Sequence, residues 1–132
     1  MVCGSIGYGG LPRIRRVQSF LREKGFHVLD HISEEDMDYS NIKDFRDKRE
    51  LAERIVKHDL DFIKKSDVVV AISNGPSYGT AMEMFIAKQL GKHVIFHSEE
   101  SIPTPWPVAF SDAVSNDLSN LVSLLKNLKN PG

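Results

Sequence analysis

The chain has 132 residues, of which 41% are hydrophobic and 27% charged, and its formal net charge is -1. This length is typical of one domain, which we expect to span residues 1–132. The near-neutral charge argues against a broad surface for a nucleic-acid polymer, so any nucleotide partner should be a small molecule. A single cysteine, Cys3, excludes an internal disulfide, and no Cys/His spacing indicates a metal site. We expect a cytoplasmic protein without a membrane partner, because the apolar runs are too short to cross a bilayer and no signal-type core follows the N-terminus.

The N-terminal part has the pattern of a strand, a glycine-rich loop and a helix. Residues 2–6 form a short apolar segment that runs into the sequence GSIGYGG, and apolar residues at helical spacing follow. Pro12 suits the first turn of a helix and Gly25 its C-terminal cap, which predicts a helix over residues 11–24.

The sequence patterns that indicate secondary structure are weaker over residues 26–45. Residues 26–29 predict a second strand, and residues 32–45 are acidic and irregular, which indicates a loop near the ligand. From 46 to 65 the apolar residues repeat with the helical period and form one continuous arc. Asp59 falls in the middle of that arc, whereas the other charged side chains of this helix lie on the opposite face.

The clearest strand covers residues 67–72. Its run of Val, Ala and Ile without alternation is typical of a parallel strand that is buried on both faces. The pattern then predicts a helix over 79–90 that ends at Gly91, followed by a fourth strand over 92–96. Residues 98–107 contain three prolines and indicate a loop.

The C-terminal part predicts a weak fifth strand over 108–114 and a closing amphipathic helix from 118 to 128. Alternating strands and helices indicate an α/β fold, a three-layer sandwich with a central, mainly parallel, five-stranded sheet. Ligands of such sheets bind at the carboxyl ends of the strands. We therefore expect the loops over 5–10 and 73–79 to meet at one mouth.

The glycine-rich loop is a candidate phosphate site. Its backbone N–H groups and the positive end of the following helix can hold an anion, and the Ser5 hydroxyl can add a donor. The loop matches neither the dinucleotide-binding pattern nor the P-loop, because position 12 is proline and no lysine follows. A tight strand-to-helix turn without a ligand is the alternative explanation.

Two carboxylates stand where the helical projection expects apolar residues. Glu83 falls between Leu90 and Ala87 on the side that faces the sheet and cleft, and Asp59 lies on the apolar arc of the preceding helix. A buried carboxylate is costly unless it is paired, hydrogen-bonded or used in chemistry. The alternatives are a Thr80-x-x-Glu83 capping box and a backbone hydrogen bond to Asp59. Together the two carboxylates favour glycosidic chemistry, in which one attacks or stabilises the sugar and the other manages protons or orientation.

Three stretches of the sequence resemble the nucleoside 2-deoxyribosyltransferase family: CGSIGYGG, HDLDFIKKSDVVVAIS and PSYGTAMEMFIAKQLGKHVI. The chain is most similar to the branch of 2′-deoxynucleoside 5′-monophosphate N-glycosidases, over residues 2–97. A partial resemblance also links Gly79-Thr80-x-x-Glu83 to the phosphoribohydrolases that activate cytokinins, which likewise cut N-glycosidic bonds of nucleotides.

The resemblance implies a flavodoxin-like fold, a homodimer with active sites near the subunit interface, and cleavage of the bond between base and deoxyribose without a metal or cofactor. Glu83 matches the family's nucleophile, and Asp59 matches an acidic residue that positions or protonates the reacting groups. Where the nucleotide-specific branch usually has an arginine, this sequence has Gly7 and Tyr8. The resemblance also implies a set of phosphate- and sugar-binding residues: Ser5, Ile6, Gly7, Tyr8, Gly9, Gly10, Ser77 and Gly79.

These observations predict an enzyme that hydrolyses 2′-deoxynucleoside 5′-monophosphates to free base and 2-deoxyribose 5-phosphate through a covalent intermediate on Glu83. Base exchange between deoxynucleosides is the nearest alternative. A non-catalytic nucleotide-binding module is the alternative from another class.

Overall fold

The structure, a computed structural model, describes residues 1–7, 9–73 and 75–129. Within this part of the chain, four parallel strands form one sheet in the order β1-β2-β3-β4. The predicted α/β architecture is confirmed, but the sheet of the described residues has four strands and not the five predicted. The elements in chain order are β1 (Val2–Cys3), α1 (Leu11–Glu23), α2 (Arg49–Lys65), β2 (Val68–Ile72), α3 (Tyr78–Gln89), β3 (His93–His97), α4 (Trp106–Ala109), β4 (Ala113–Ser115) and α5 (Leu118–Lys129).

The strand predicted over residues 26–29 is wrong, because this segment joins no ladder in the described chain. It follows directly on the end of α1, where the Phe26 N–H donates to the Leu21 carbonyl at 3.0 Å. That bond belongs to the helix cap rather than to a sheet. Phe26 and Val28 nevertheless pack into the hydrophobic core.

The last predicted strand begins too early. Residues 106–109 form the short helix α4, whose first turn contains proline. Proline suits this position because it has no N–H group, and the first N–H groups of a helix have no partner within the helix. β4 starts only at Ala113 and is anchored to β3 by Asp112. The Asp112 N–H donates to the Val94 carbonyl at 2.7 Å, and the Val94 N–H donates to Asp112 Oδ2 at 2.8 Å.

The central strand β2 divides the core into two layers. Val70 and Ile72 pack with side chains of α1 and α5 on one face of the sheet. Val69 and Ala71 pack with side chains of α2 and α3 on the other face. Both faces of the sheet are therefore covered by helices, which explains the unbroken apolar sequence of this strand.

Glycines end two of the helices as predicted. Gly25 after α1 and Gly91 after α3 have φ angles of +89° and +74°, a backbone region that a residue without a β-carbon enters at little cost. Both helices therefore stop where the chain must turn toward its next segment. None of the described helices is long and apolar enough to cross a membrane.

Candidate active site

Glu83 lies in the second turn of α3 with its carboxyl group enclosed. Its Oε2 atom has no hydrogen-bond partner in the described chain, and a β-carbon added to Gly79 would lie 3.8 Å from its Oε1 atom. Burial, and secondly the charge of Asp59, raises the pKa of Glu83 to about 8. An unpaired carboxyl group with a raised pKa is costly for stability and is typical of a functional site.

The capping-box explanation for Glu83 is wrong. The N-cap of α3 is Ser77, whose hydroxyl oxygen accepts hydrogen bonds from the Thr80 N–H at 3.2 Å and from the Thr80 hydroxyl at 3.1 Å. Thr80 is therefore the third residue of the helix, and Glu83 lies beyond the position that a capping box requires. Glu83 plays no part in capping this helix.

Asp59 is carried by α2, which packs against α3. It is partly buried, and burial raises its pKa to about 6, against the opposing effect of the His58 charge. The helices that carry the two carboxylates pack against each other, and the charge of Asp59 acts on Glu83.

The glycine-rich loop is a tight turn with an exposed backbone. The Gly9 N–H donates to the Ile6 carbonyl at 3.3 Å, and Gly9 has a φ of +81°, which favours glycine. Ser5 and Ile6 are buried beneath the turn, whereas Gly7 and Gly9 are exposed. Tyr8, the fourth residue of the predicted loop, lies outside the described residues.

Arginines at the start of α1 lie beside the end of β2. Arg13 Nη1 donates to the Ser73 carbonyl at 3.4 Å. Arg13 and Arg16 also line a cavity of about 90 Å³ that includes Ser73 and His97. The start of α1 and the segment after β2 thus lie at one edge of the sheet, where the two arginines share the cavity with Glu99 and Glu100.

Tyr39 and Cys3 are neighbours of the carboxylate pair that sequence analysis missed. Burial, and then the charges of Glu83 and Asp59, raises the pKa of Tyr39 to about 12. Burial, and then the charge of Glu83, raises the pKa of the fully buried Cys3 thiol. Tyr39 lies in an irregular segment whose path no periodicity predicts, so only the structure identifies it.

Residues 75–79 also match the Gly-x-Ser-x-Gly pattern of serine hydrolases, which sequence analysis overlooked. In the described chain the Ser77 hydroxyl bonds to Thr80 and to no histidine. The hydroxyl therefore has no general base, and Ser77 acts as a helix cap. Among the described residues, no three His, Cys, Asp or Glu side chains form a group suited to a metal ion.

Comparisons with known proteins agree with this fold. A family model described as nucleoside 2-deoxyribosyltransferase matches residues 11–126, a span that includes Asp59 and Glu83. Among solved structures, the chain is similar to the CMP N-glycosidase BcmB of Clostridium botulinum, with a TM-score of 0.54 and 21% identity over 95% of this chain and 96% of that chain. A search of curated proteins found no match. Because the family model covers most of its length, the chain belongs to the nucleoside 2-deoxyribosyltransferase family, whose members are enzymes that act on nucleosides or nucleotides.

Proposed function

We propose that this protein is an N-glycosidase that hydrolyses 2′-deoxynucleoside 5′-monophosphates to free base and 2-deoxyribose 5-phosphate. The observation that carries the proposal is the enclosed, unpaired carboxyl group of Glu83 with the charge of Asp59 acting on it. Membership of the family supports the bond between sugar and base as the target. The similar structure from Clostridium botulinum is that of a CMP N-glycosidase, which supports a nucleotide substrate.

In the proposed reaction the Glu83 carboxylate attacks C1′ of the sugar. The C1′–N bond breaks, its electron pair leaves with the base, and the base takes a proton from Asp59. A water molecule then attacks C1′ of the sugar ester and gives a proton to Asp59. This second step releases the sugar phosphate and restores both side chains.

The proposed roles require Glu83 to be ionised while Asp59 holds a proton. In the structure the order is the opposite, because the pKa of Glu83 is raised to about 8 and that of Asp59 to about 6. The positive charge that develops on the sugar next to Glu83 favours its ionised form. The N-terminal end of α3, toward which Glu83 Oε1 points, acts in the same direction.

The proposal also includes binding of the substrate's 5′-phosphate. The exposed backbone of Gly7 lies at the mouth, and Ser77 with Gly79 begins the helix that carries Glu83. Arg13 supplies a cation at the same edge of the sheet, although it comes from α1 and not from the loop. These features support a bound phosphate despite the absence of an arginine in the loop.

The test is to incubate the protein with the deoxynucleotides and deoxynucleosides and to measure free base and sugar phosphate. We expect base release from the monophosphates, and its loss in Glu83→Gln. The matched control is Glu23→Gln, at the exposed end of α1, which should keep full activity. A new nucleoside formed with an added acceptor base would establish base exchange instead. No release of base from any substrate, with or without an acceptor, contradicts the proposal.

We also propose that the enzyme is a homodimer. Tyr78, Met82 and Phe85 form one exposed apolar stripe on α3, the helix that carries Glu83, with exposed fractions of 84%, 62% and 48%. Contiguous exposed apolar side chains of this kind are typical of an interface. Met82→Glu should therefore convert a dimer to a monomer in sedimentation measurements, whereas Ser123→Glu on the exposed face of α5 should not. A monomeric wild-type protein contradicts the proposal.

A further inference from the structure

Tyr39 carries a hydroxyl group to which the proposed reaction assigns no role. It lies in the segment between α1 and α2 and is partly buried. Its Cε2 atom is bonded to the carbon that bears the hydroxyl, and it lies 3.9 Å from the place that a β-carbon of Gly7 would occupy. The hydroxyl end of the ring is therefore at the glycine-rich loop.

The contacts of the segment hold this ring in place. Phe45 packs edge-on against it, with ring centroids 5.6 Å apart. The Tyr39 carbonyl accepts a hydrogen bond from the Ile42 N–H at 3.0 Å, and Asp38 Oδ1 accepts bonds from the Ser40 N–H at 3.0 Å and the Ser40 hydroxyl at 2.6 Å. The side chain is thus presented by an ordered turn.

The charges of the carboxylate pair also act on this hydroxyl. Its pKa is raised to about 12 by burial and then by the charges of Glu83 and Asp59, so the group keeps its proton throughout the neutral range. A protonated phenol is a hydrogen-bond donor. None of the hydrogen bonds within the described chain uses this hydroxyl, and Glu83 Oε2 has no partner there either. A phenolic donor at the glycine-rich loop and an unpartnered carboxyl oxygen whose charge acts on it are typical of a site for a polar ligand.

We infer that Tyr39 binds the sugar of the substrate through a hydrogen bond between its phenolic hydroxyl and the 3′-hydroxyl group. The inference rests on the proposed function. A 2′-deoxynucleoside 5′-monophosphate has one free sugar hydroxyl, at C3′, because the 5′ oxygen carries the phosphate and C2′ carries no oxygen. Tyr39 places its donor at the loop proposed for the phosphate, and the charge of the proposed nucleophile acts on that donor. The sugar joins the phosphate to the atom that the nucleophile attacks, so the donor faces the sugar.

The test compares Tyr39→Phe with the wild-type protein on two substrates, a 2′-deoxynucleoside 5′-monophosphate and its 2′,3′-dideoxy analogue. We expect kcat/KM to fall about tenfold on the first substrate, the usual effect of one lost hydrogen bond, and to be unchanged on the second. The dideoxy analogue is the internal control for folding and for ring packing, which phenylalanine retains. An equal fall on both substrates, or no fall on either, overturns the inference.

Failure of the proposed function is separable from failure of this inference. If the wild-type protein releases no base from either substrate, the proposed reaction fails, and calorimetric binding of the same two nucleotides replaces the kinetic comparison. Tyr39→Phe should then weaken binding of the deoxynucleotide about tenfold and leave binding of the dideoxynucleotide unchanged. Equal effects on both nucleotides, or no effect on either, overturn the role of Tyr39, whether rates or binding are measured.

Discussion

The charge of Asp59 on α2 acts on the carboxyl group of Glu83 on α3, and together with the larger effect of burial it raises the pKa of Glu83 to about 8. Packing of the two helices against each other produces this relationship. Like charges so placed resist ionising together.

Replacing Asp59 tests this coupling. Asp59→Asn removes the neighbouring charge, so the pKa of Glu83 should fall from about 8, which NMR titration of its carboxyl group measures. The alkaline limb of the pH profile of kcat/KM should disappear, because asparagine has no proton to lose. The maximal rate should also fall, because asparagine cannot protonate the departing base. Asp61→Asn, on the side of α2 that lines an outer groove, is the matched control and should leave the profile in place. A pKa of Glu83 that does not fall in Asp59→Asn contradicts the coupling.

Neutralising Glu83 should stabilise the protein at high pH. The pKa of this group is raised from 4.5 to about 8 on folding, so the folded state favours its protonated form and becomes less stable as pH rises between these values. The Glu83→Gln variant does not lose stability in this way, because glutamine does not ionise. Its free energy of unfolding should match that of the wild type below pH 4.5 and exceed it by a few kcal/mol above pH 8. Urea unfolding across this range measures the difference, and a difference that is independent of pH contradicts the prediction.

Gly79→Ala should raise the stability of the protein and lower its activity. The added methyl group would lie 3.8 Å from Glu83 Oε1 and 3.9 Å from Ser77 Oγ, which are ordinary contact distances. Alanine is the better helix former, so the free energy of unfolding should rise by about 0.5–1 kcal/mol. The methyl group occupies space beside the proposed nucleophile, so kcat/KM should fall at least tenfold.

The control for Gly79→Ala is Ala81→Gly on the exposed face of the same helix. It should lower the free energy of unfolding by a similar amount and keep the activity. Unchanged turnover in Gly79→Ala would show that the space beside Glu83 does not hold the substrate.

Ser77→Ala tests the cap of α3. The substitution removes the oxygen that accepts the Thr80 N–H at 3.2 Å, and loss of such a cap costs about 1 kcal/mol. For a chain of this size the midpoint of thermal unfolding should fall by about 4 °C. Ser77→Thr keeps an acceptor at the same position and should restore most of this loss. Equal midpoints for Ser77→Ala and the wild type contradict the role of the cap.

Arg13→Ala tests the cation proposed for the phosphate. The KM for deoxynucleoside monophosphates should rise about tenfold, the effect of one charge-assisted hydrogen bond, while hydrolysis of the unphosphorylated nucleosides should change little. Lys126→Ala, which removes an exposed positive charge from α5, is the control. An equal effect of Arg13→Ala on both classes of substrate would show that Arg13 does not bind the phosphate.

Local sequence patterns predicted a strand, the ends of two helices and the two candidate catalytic residues. The run of Val, Ala and Ile predicted β2, because a strand covered on both faces needs apolar side chains at every position. Gly25 and Gly91 predicted the ends of two helices, because the required backbone angles are local. Asp59 and Glu83 stood out for the same reason, since each breaks the apolar face of its own helix.

The tertiary structure decided what depends on distant partners. Residues 26–29 have strand-like composition, but a strand exists only if a neighbour accepts its hydrogen bonds, and here the chain completes a helix cap instead. Ser77 and Thr80 were both suitable helix caps, and the geometry of the turn after β2 selected Ser77. Tyr39 reaches Gly7 and the carboxylate pair through an irregular segment. No repeating pattern specifies such a path, because it is set by the packing of the segment against the finished core.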